Sequence, residues 1–118
     1  MSVKNTFLIS VITATWNAGE CIEDLIDSLK NQTDKNFEWV VSDGLSTDAT
    51  LNILSRINDI NIKIISQKDF GIYDALNRGI EACTGQYYLV VGADDKLSPN
   101  AISDLRKAIQ NYPEADFI

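Results

Sequence analysis

The chain has 118 residues, 45% of them hydrophobic and 23% charged, the composition of an ordinary globular domain with a single core. Its net charge is −7 and it contains no histidine. Nucleic-acid binding is therefore not expected, because phosphate neutralisation needs clustered Lys and Arg, and any chemistry within the chain must run on carboxylates, hydroxyls, amides and a metal. In chain order, Phe7 to Ala14 is a continuous run rich in β-branched residues that predicts a strand covered on both faces. With only Lys4 before it and Trp16-Asn17 after it, this run reads as a strand and not as a leader segment. Ile22, Leu25, Ile26 and Leu29 recur at helical spacing. A second strand is expected over residues 37–42, ending at Asp43-Gly44, then a helix from about Asp48 to Ile57 with Ser46, Thr47 and Asp48 as its N-capping residues.

A third strand follows at residues 62–66. Ile72, Leu76, Ile80 and Cys83 mark the inward stripe of a third helix, closed by Gly85 as a C-terminal cap. Tyr87 to Val91 reads as a fourth strand. Ser98 as N-cap and Pro99 at the first helical position open a helix with the stripe Ile102, Leu105, Ile109 and Tyr112, and the final Asp116-Phe117-Ile118 reads as the start of another strand. Cys21 and Cys83 show no CxxC spacing and are read as small buried helical residues in a reducing compartment. No stretch approaches the roughly 20 apolar residues that span a bilayer, so the expected location is cytoplasmic, at most peripheral at the inner face of the membrane.

Strands alternating with helices give an α/β fold with a Rossmann-like, mostly parallel sheet and flanking helices, here as one domain over residues 1–118 that reads as incomplete. Such sheets bind ligands beyond the carboxyl ends of their strands. The segments after the four strands are TATWNAGE, SDGLSTDAT, SQKDFGIYD and GADDKLSP, the polar, acidic and glycine-containing parts of the chain. Trp16 directly follows a strand, where an aromatic ring can wall a base pocket, and Thr15 can offer it a hydroxyl or main-chain groups. Asp43 at a strand end could accept the imide N–H of a uracil-type base, or simply make a turn with Gly44. Gly71, before the third helix, would let a diphosphate approach the backbone. Arg78 is either a phosphate ligand or a solvated charge, and Tyr73 is read as packing. Asp94-Asp95 fits Mg²⁺ or Mn²⁺, which often take one or two carboxylates plus nucleotide phosphates.

The stretches ISVITATWNAGECIEDLIDSLKNQT, WVVSDGLSTDAT and GIYDALNRGIEACTGQYYLVVGADDKLSP resemble the N-terminal half of a family 2 inverting glycosyltransferase, of the nucleotide-diphosphosugar transferase type with a GT-A fold. The resemblance implies a nucleotide-sugar donor, a UDP-sugar above others, and a glycan or lipid-linked acceptor, in polysaccharide or cell-envelope assembly. It assigns Thr15 and Trp16 to the nucleotide pocket, Asp43 to the base, Asp94 to the ribose or metal and Asp95 to the metal; with the residue reading above, the expected nucleotide set is Ala14, Thr15, Trp16, Asp43, Gly71 and Asp94, with Arg78 as the phosphate candidate. Gly92 stands where many members carry the first acid of an Asp-x-Asp pattern, so the metal falls on Asp95 with Asp94 assisting. The family's catalytic base belongs to the second half of the domain, and no acid of this chain maps onto it. Two other classes stay open: a non-catalytic binding module, whose unpaired sheet edge would favour a homo-oligomer, and a phosphoacceptor domain. The latter wants its acid pair after the first strand, where this chain has TATWN.

Overall fold

The computed structural model describes residues 7–111. Eight elements alternate: β1 (Ile9–Thr15), α1 (Ile22–Lys30), β2 (Phe37–Asp43), α2 (Thr50–Ser55), β3 (Ile62–Ser66), α3 (Ile72–Ala82), β4 (Tyr87–Val90) and α4 (Ala101–Asn111). The strands form one parallel sheet in the order β3-β2-β1-β4. The chain thus builds outward from β1 to β3, then returns to lay β4 on the free side of β1. That reversal is a topological switch point, the place where open parallel sheets leave a crevice at their carboxyl ends.

β1 and β2 are buried on both faces, β1 as its β-branched run predicts. Successive side chains alternate between faces. Ile9 and Val11, with Phe37, Trp39 and Val41, pack against Leu25 and Leu29 of α1, Leu54 of α2 and Ile102 of α4 in one core cluster. Trp39 is core, its indole N–H donating to Thr13 Oγ1 at 3.0 Å. The opposite face carries α3. A buried acid, Glu38, sits there with three donors: Ser10 Oγ at 2.6 Å, Thr84 N at 2.5 Å and Thr84 Oγ1 at 3.1 Å. Burial alone would raise its carboxyl, but these hydrogen bonds outweigh it and hold Glu38 below the ordinary value.

Several expectations are corrected at this level. The inward face of α3 is Ala75 and Gly79, whereas Ile72 is exposed and Leu76 and Ile80 are half-buried. Small residues let the helix lie close to the sheet: a Cβ on Gly79 would stand 2.6 Å from Ile12 Cγ2. Gly79→Val is expected to lower stability by about 1–3 kcal/mol through overpacking, read as a lower midpoint in urea unfolding at unchanged slope. Gly85 is not the helix cap. α3 ends at Cys83 in extended backbone, and Gly85 instead donates to Ser10 Oγ at 2.9 Å, where a Cβ would meet Leu8 O at 2.8 Å.

α2 is shorter than expected, and α4 begins at Ala101 instead of Pro99. The turn before α4 is held from a distance: buried Gln32, just beyond α1, accepts the Ile102 N–H at 3.1 Å and donates to Ser98 O at 2.7 Å. The cysteines flank helices and are not buried: Cys21, exposed, precedes α1, and half-buried Cys83 follows α3, both as free thiols. Tyr112 and residues 116–118 lie outside the described residues. No helix among the described residues is long and apolar enough to cross a membrane.

Candidate functional site

The sheet register puts Thr15, Asp43 and Ser66 in one row at the carboxyl ends of β1, β2 and β3. Asp43 is the hub of that row and only 1% exposed. Its Oδ1 accepts Thr15 Oγ1 at 2.7 Å and Ser46 Oγ at 2.6 Å, while Oδ2 accepts Ser46 N at 2.8 Å and Ser66 Oγ at 3.2 Å. A carboxylate offers about four lone-pair sites, so this one is saturated by the protein. The sequence offers Asp43 as a base reader or a turn residue; in the fold it braces three strand ends and the β2–α2 loop.

The two loops beside it are stitched together by Asn17. Its backbone lies in the left-handed region at φ 48°, a conformation that asparagine tolerates better than most residues. Its Oδ1 accepts the N–H groups of Thr47 at 2.8 Å and Asp48 at 3.3 Å, and its own N–H donates to Ser46 Oγ at 2.8 Å. Asp48 accepts from Thr50 N at 3.0 Å and Gly19 N at 3.0 Å. Hydrogen bonds from the Thr50 hydroxyl and N–H are the main reason its carboxyl is held below the ordinary value. Asp48 therefore does serve the start of α2, while Ser46 serves Asp43 and the N–H of Thr47 turns to Asn17.

A cleft of about 300 Å³ opens between the end of β1 and the start of α3, lined by Ala14, Thr15, Trp16, Asp69, Gly71, Ile72 and Ala75. Four of the residues assigned to a nucleotide, Ala14, Thr15, Trp16 and Gly71, thus line one cavity. Trp16 is 68% exposed, leaving a ring free to stack. Gly71 has φ 120°, which L side chains rarely adopt, and nothing stands within 4 Å of a Cβ placed there. Gly71 therefore leaves space beside the head of α3, where its own N–H donates to Asp69 Oδ1 at 3.2 Å and the Phe70 N–H to Asp74 Oδ2 at 3.0 Å. Asp69, which also lines the cleft, was not singled out by sequence. Its signal there is only an acid in a Gly-containing loop after a strand.

Arg78 does not line the cleft. It donates to Lys68 O at 2.7 Å and pairs with Asp74 at 3.2 Å, so it tethers the β3–α3 loop. Tyr73 does not pack; together with Phe70 and Ile72 it forms an exposed apolar rim at the head of α3.

Asp94 and Asp95 lie on the turn after β4, the strand on the other side of β1. Asp95 N donates to Gly92 O at 3.0 Å and Asp95 Oδ2 accepts Gly92 N at 2.8 Å. A Cβ on Gly92 would meet Asp95 Oδ2 at 3.0 Å and Asp94 Oδ1 at 3.1 Å, so the lack of a side chain at Gly92 lets both carboxylates gather above it. The donor set is oxygen only, and no group of three His, Cys, Asp or Glu comes together among the described residues. Two exposed carboxylates with the rest of the shell left to phosphate and water suit Mg²⁺ or Mn²⁺.

A family model described as Glycosyl transferase family 2 matches residues 10–118. An uncharacterized glycosyltransferase of Haemophilus influenzae is 39% identical over 106 residues, covering 87% of this chain and 33% of that protein. The PGL/p-HBAD biosynthesis glycosyltransferase of Mycobacterium tuberculosis is 39% identical over 93 residues, covering 76% of this chain and 36% of that one. Among solved structures, S. aureus TarS 1-349 in complex with UDP-GlcNAc superposes with a TM-score of 0.85 at 30% identity, over 89% of this chain and 32% of that one. The chain spans about a third of the length of these proteins.

Proposed function

The chain belongs to glycosyl transferase family 2, and from that premise we propose that it binds a nucleotide-diphosphosugar donor, a UDP-sugar above others, at the carboxyl ends of β1 and β4. The observation that carries this reading is the cleft in which Ala14, Thr15, Trp16 and Gly71 meet at the switch point of the sheet. An apolar wall with an open indole suits a base, and the missing side chain at Gly71 leaves room beside it for the rest of the nucleotide. A similar protein, TarS, has been solved with UDP and with UDP-GlcNAc, which supports a uridine donor here.

Asp95, with Asp94 beside it, would hold Mg²⁺ or Mn²⁺. When bound, such a cation neutralises the diphosphate that leaves with the nucleotide. The protein's own part is to fix the turn that presents both carboxylates, through the Gly92–Asp95 hydrogen bonds. In the whole enzyme an acceptor hydroxyl of a glycan or lipid-linked glycan attacks the sugar carbon with inversion, and its proton passes to a base. No residue of this chain is proposed as that base. Cell-envelope polysaccharide assembly is the proposed setting, in line with the relative named for teichuronic acid biosynthesis in Bacillus subtilis.

The test is Asp95→Ala. With Mn²⁺ present, its affinity for UDP should fall at least tenfold below wild type. Because the side chain is exposed, the thermal midpoint should hardly move. Equal UDP affinity in the two proteins would remove the metal assignment.

A further inference from the structure

We propose that Asn17 is a positioning residue for the nucleotide site: its N–H and side chain fix the direction in which Trp16 leaves the end of β1, so that the indole walls the cleft. This rests on the nucleotide reading above and adds to it a residue that does not itself line the cavity. Three observations carry it.

The first is that Trp16 does not hold itself. Its ring is 68% exposed, and among the described residues its indole N–H has no hydrogen-bond partner, unlike that of Trp39, which donates to Thr13 Oγ1. A side chain so free takes its direction from the backbone that carries it.

The second is that the backbone on either side of Trp16 is tied to the segment between β2 and α2. Before it, Thr15 O accepts the Gly44 N–H at 2.9 Å and Thr15 Oγ1 donates to Asp43 Oδ1 at 2.7 Å. After it, the Asn17 N–H donates to Ser46 Oγ at 2.8 Å and the Ala18 N–H to Thr50 Oγ1 at 2.9 Å. Ser46 Oγ donates in turn to Asp43 Oδ1 at 2.6 Å, so the carboxylate that braces the strand ends reaches Asn17 through one hydroxyl.

The third is the residue type at position 17. Its φ of 48° lies in the left-handed region, which glycine and asparagine enter at least cost. Glycine would meet that need as well. Only a side-chain acceptor, however, can take the N–H groups of Thr47 at 2.8 Å and Asp48 at 3.3 Å, and these bonds lock the turn against the facing loop. The amide supplies the acceptor without adding a charge beside the Asp48 carboxylate. Thr47 and Asp48 are exposed, so water can replace Asn17 on their N–H groups at little cost in stability. Water cannot replace the direction given to Trp16.

The experiment labels the chain with 5-fluorotryptophan, which gives one ¹⁹F line for each of its two tryptophans, the Trp16 line being assigned with Trp16→Phe. Wild type and Asn17→Gly are compared by this spectrum, by thermal unfolding and by calorimetric titration with UDP in saturating Mn²⁺. In Asn17→Gly the Trp16 line should move toward the position of the free amino acid, while the Trp39 line and the thermal midpoint stay near those of wild type. Its UDP affinity should fall about fivefold or more, the least that a lost base–aromatic stack costs. Asn17→Asp, which keeps an acceptor in the same place, should restore the Trp16 line and most of the affinity. An unmoved Trp16 line in Asn17→Gly, or a UDP affinity within about twofold of wild type, would overturn the Asn17 assignment and leave the nucleotide reading standing. So would a shift of both lines with a large drop in midpoint, the mark of a residue that serves the fold alone. A folded wild type that binds no UDP would overturn the nucleotide reading, and the role of Asn17 in it.

Discussion

Asp43→Ala is expected to lower stability by about 2–4 kcal/mol and to weaken UDP binding more than tenfold, although no contact between this carboxylate and the nucleotide is proposed. The residue is buried at the ends of three strands and takes four hydrogen bonds from Thr15, Ser46 and Ser66. Removing it leaves the Ser46 N–H and three hydroxyls without their acceptor, and each buried group so stranded costs about 1–3 kcal/mol before relaxation or water entry. The Thr15 side of the cleft and the 44–46 loop lose their brace together, so binding falls with stability. Asp43→Asn keeps one acceptor oxygen and most of the packing, and should fall between the two. Urea unfolding measures the first effect and titration with UDP the second. An alanine variant that melts like wild type would show that the row is not held by this carboxylate.

Arg106→Ala should destabilise the fold by about 2–4 kcal/mol, because it removes the buried partner of a half-buried ion pair together with its hydrogen bonds to two backbone carbonyls. Arg106, on α4, is 8% exposed. Its guanidinium donates to Asp34 Oδ2 at 2.6 Å, Phe7 O at 2.5 Å and Asn36 O at 2.9 Å, and lies 4.6 Å from the centre of the Phe7 ring. It thereby ties α4 to the segments that lead into β1 and β2, at the end of the sheet away from the cleft. Nucleotide affinity of the folded fraction should therefore change little, the opposite of Asp43→Ala. Lysine should rescue poorly, since it cannot reproduce the three-way fork.

The same pair sets an acid sensitivity. Burial would raise the Asp34 carboxyl, but the Arg106 hydrogen bond, the Asn36 N–H and the Arg106 charge together bring it below its ordinary 3.8. A depressed carboxyl contributes fully above its unfolded value and loses that contribution as pH falls through the lowered folded value. Wild type should thus lose stability on acidification below 3.8, and Arg106→Ala should lose less over the same range.

The element order was legible because local signals agree with the fold. The β-branched run at 7–14 enters the doubly covered central strand β1, the strand expected at 37–42 becomes β2, and Ile22, Leu25, Ile26 and Leu29 become the inward face of α1. The convergence of strand-end segments followed from parallel topology alone. What escaped the sequence depends on partners remote along the chain. The inward face of α3 is set by contact with Ile12, so small residues face the sheet and the larger apolar ones stand aside. The start of α4 is fixed by Gln32, some 70 residues away. Asp43 looked free because its donors, Thr15 and Ser66, belong to other strands. Arg78 looked available for phosphate because its tether to Lys68 O forms only when the β3–α3 loop folds back.

The central claim, a metal-assisted nucleotide-diphosphate site at the switch point, is tested most directly by calorimetric titration of the wild-type chain with UDP, first with Mn²⁺ and then with EDTA. The account predicts saturable one-to-one binding with Mn²⁺ that weakens at least tenfold when the metal is removed. A chain shown to be folded by circular dichroism that takes up no UDP in either condition would contradict it.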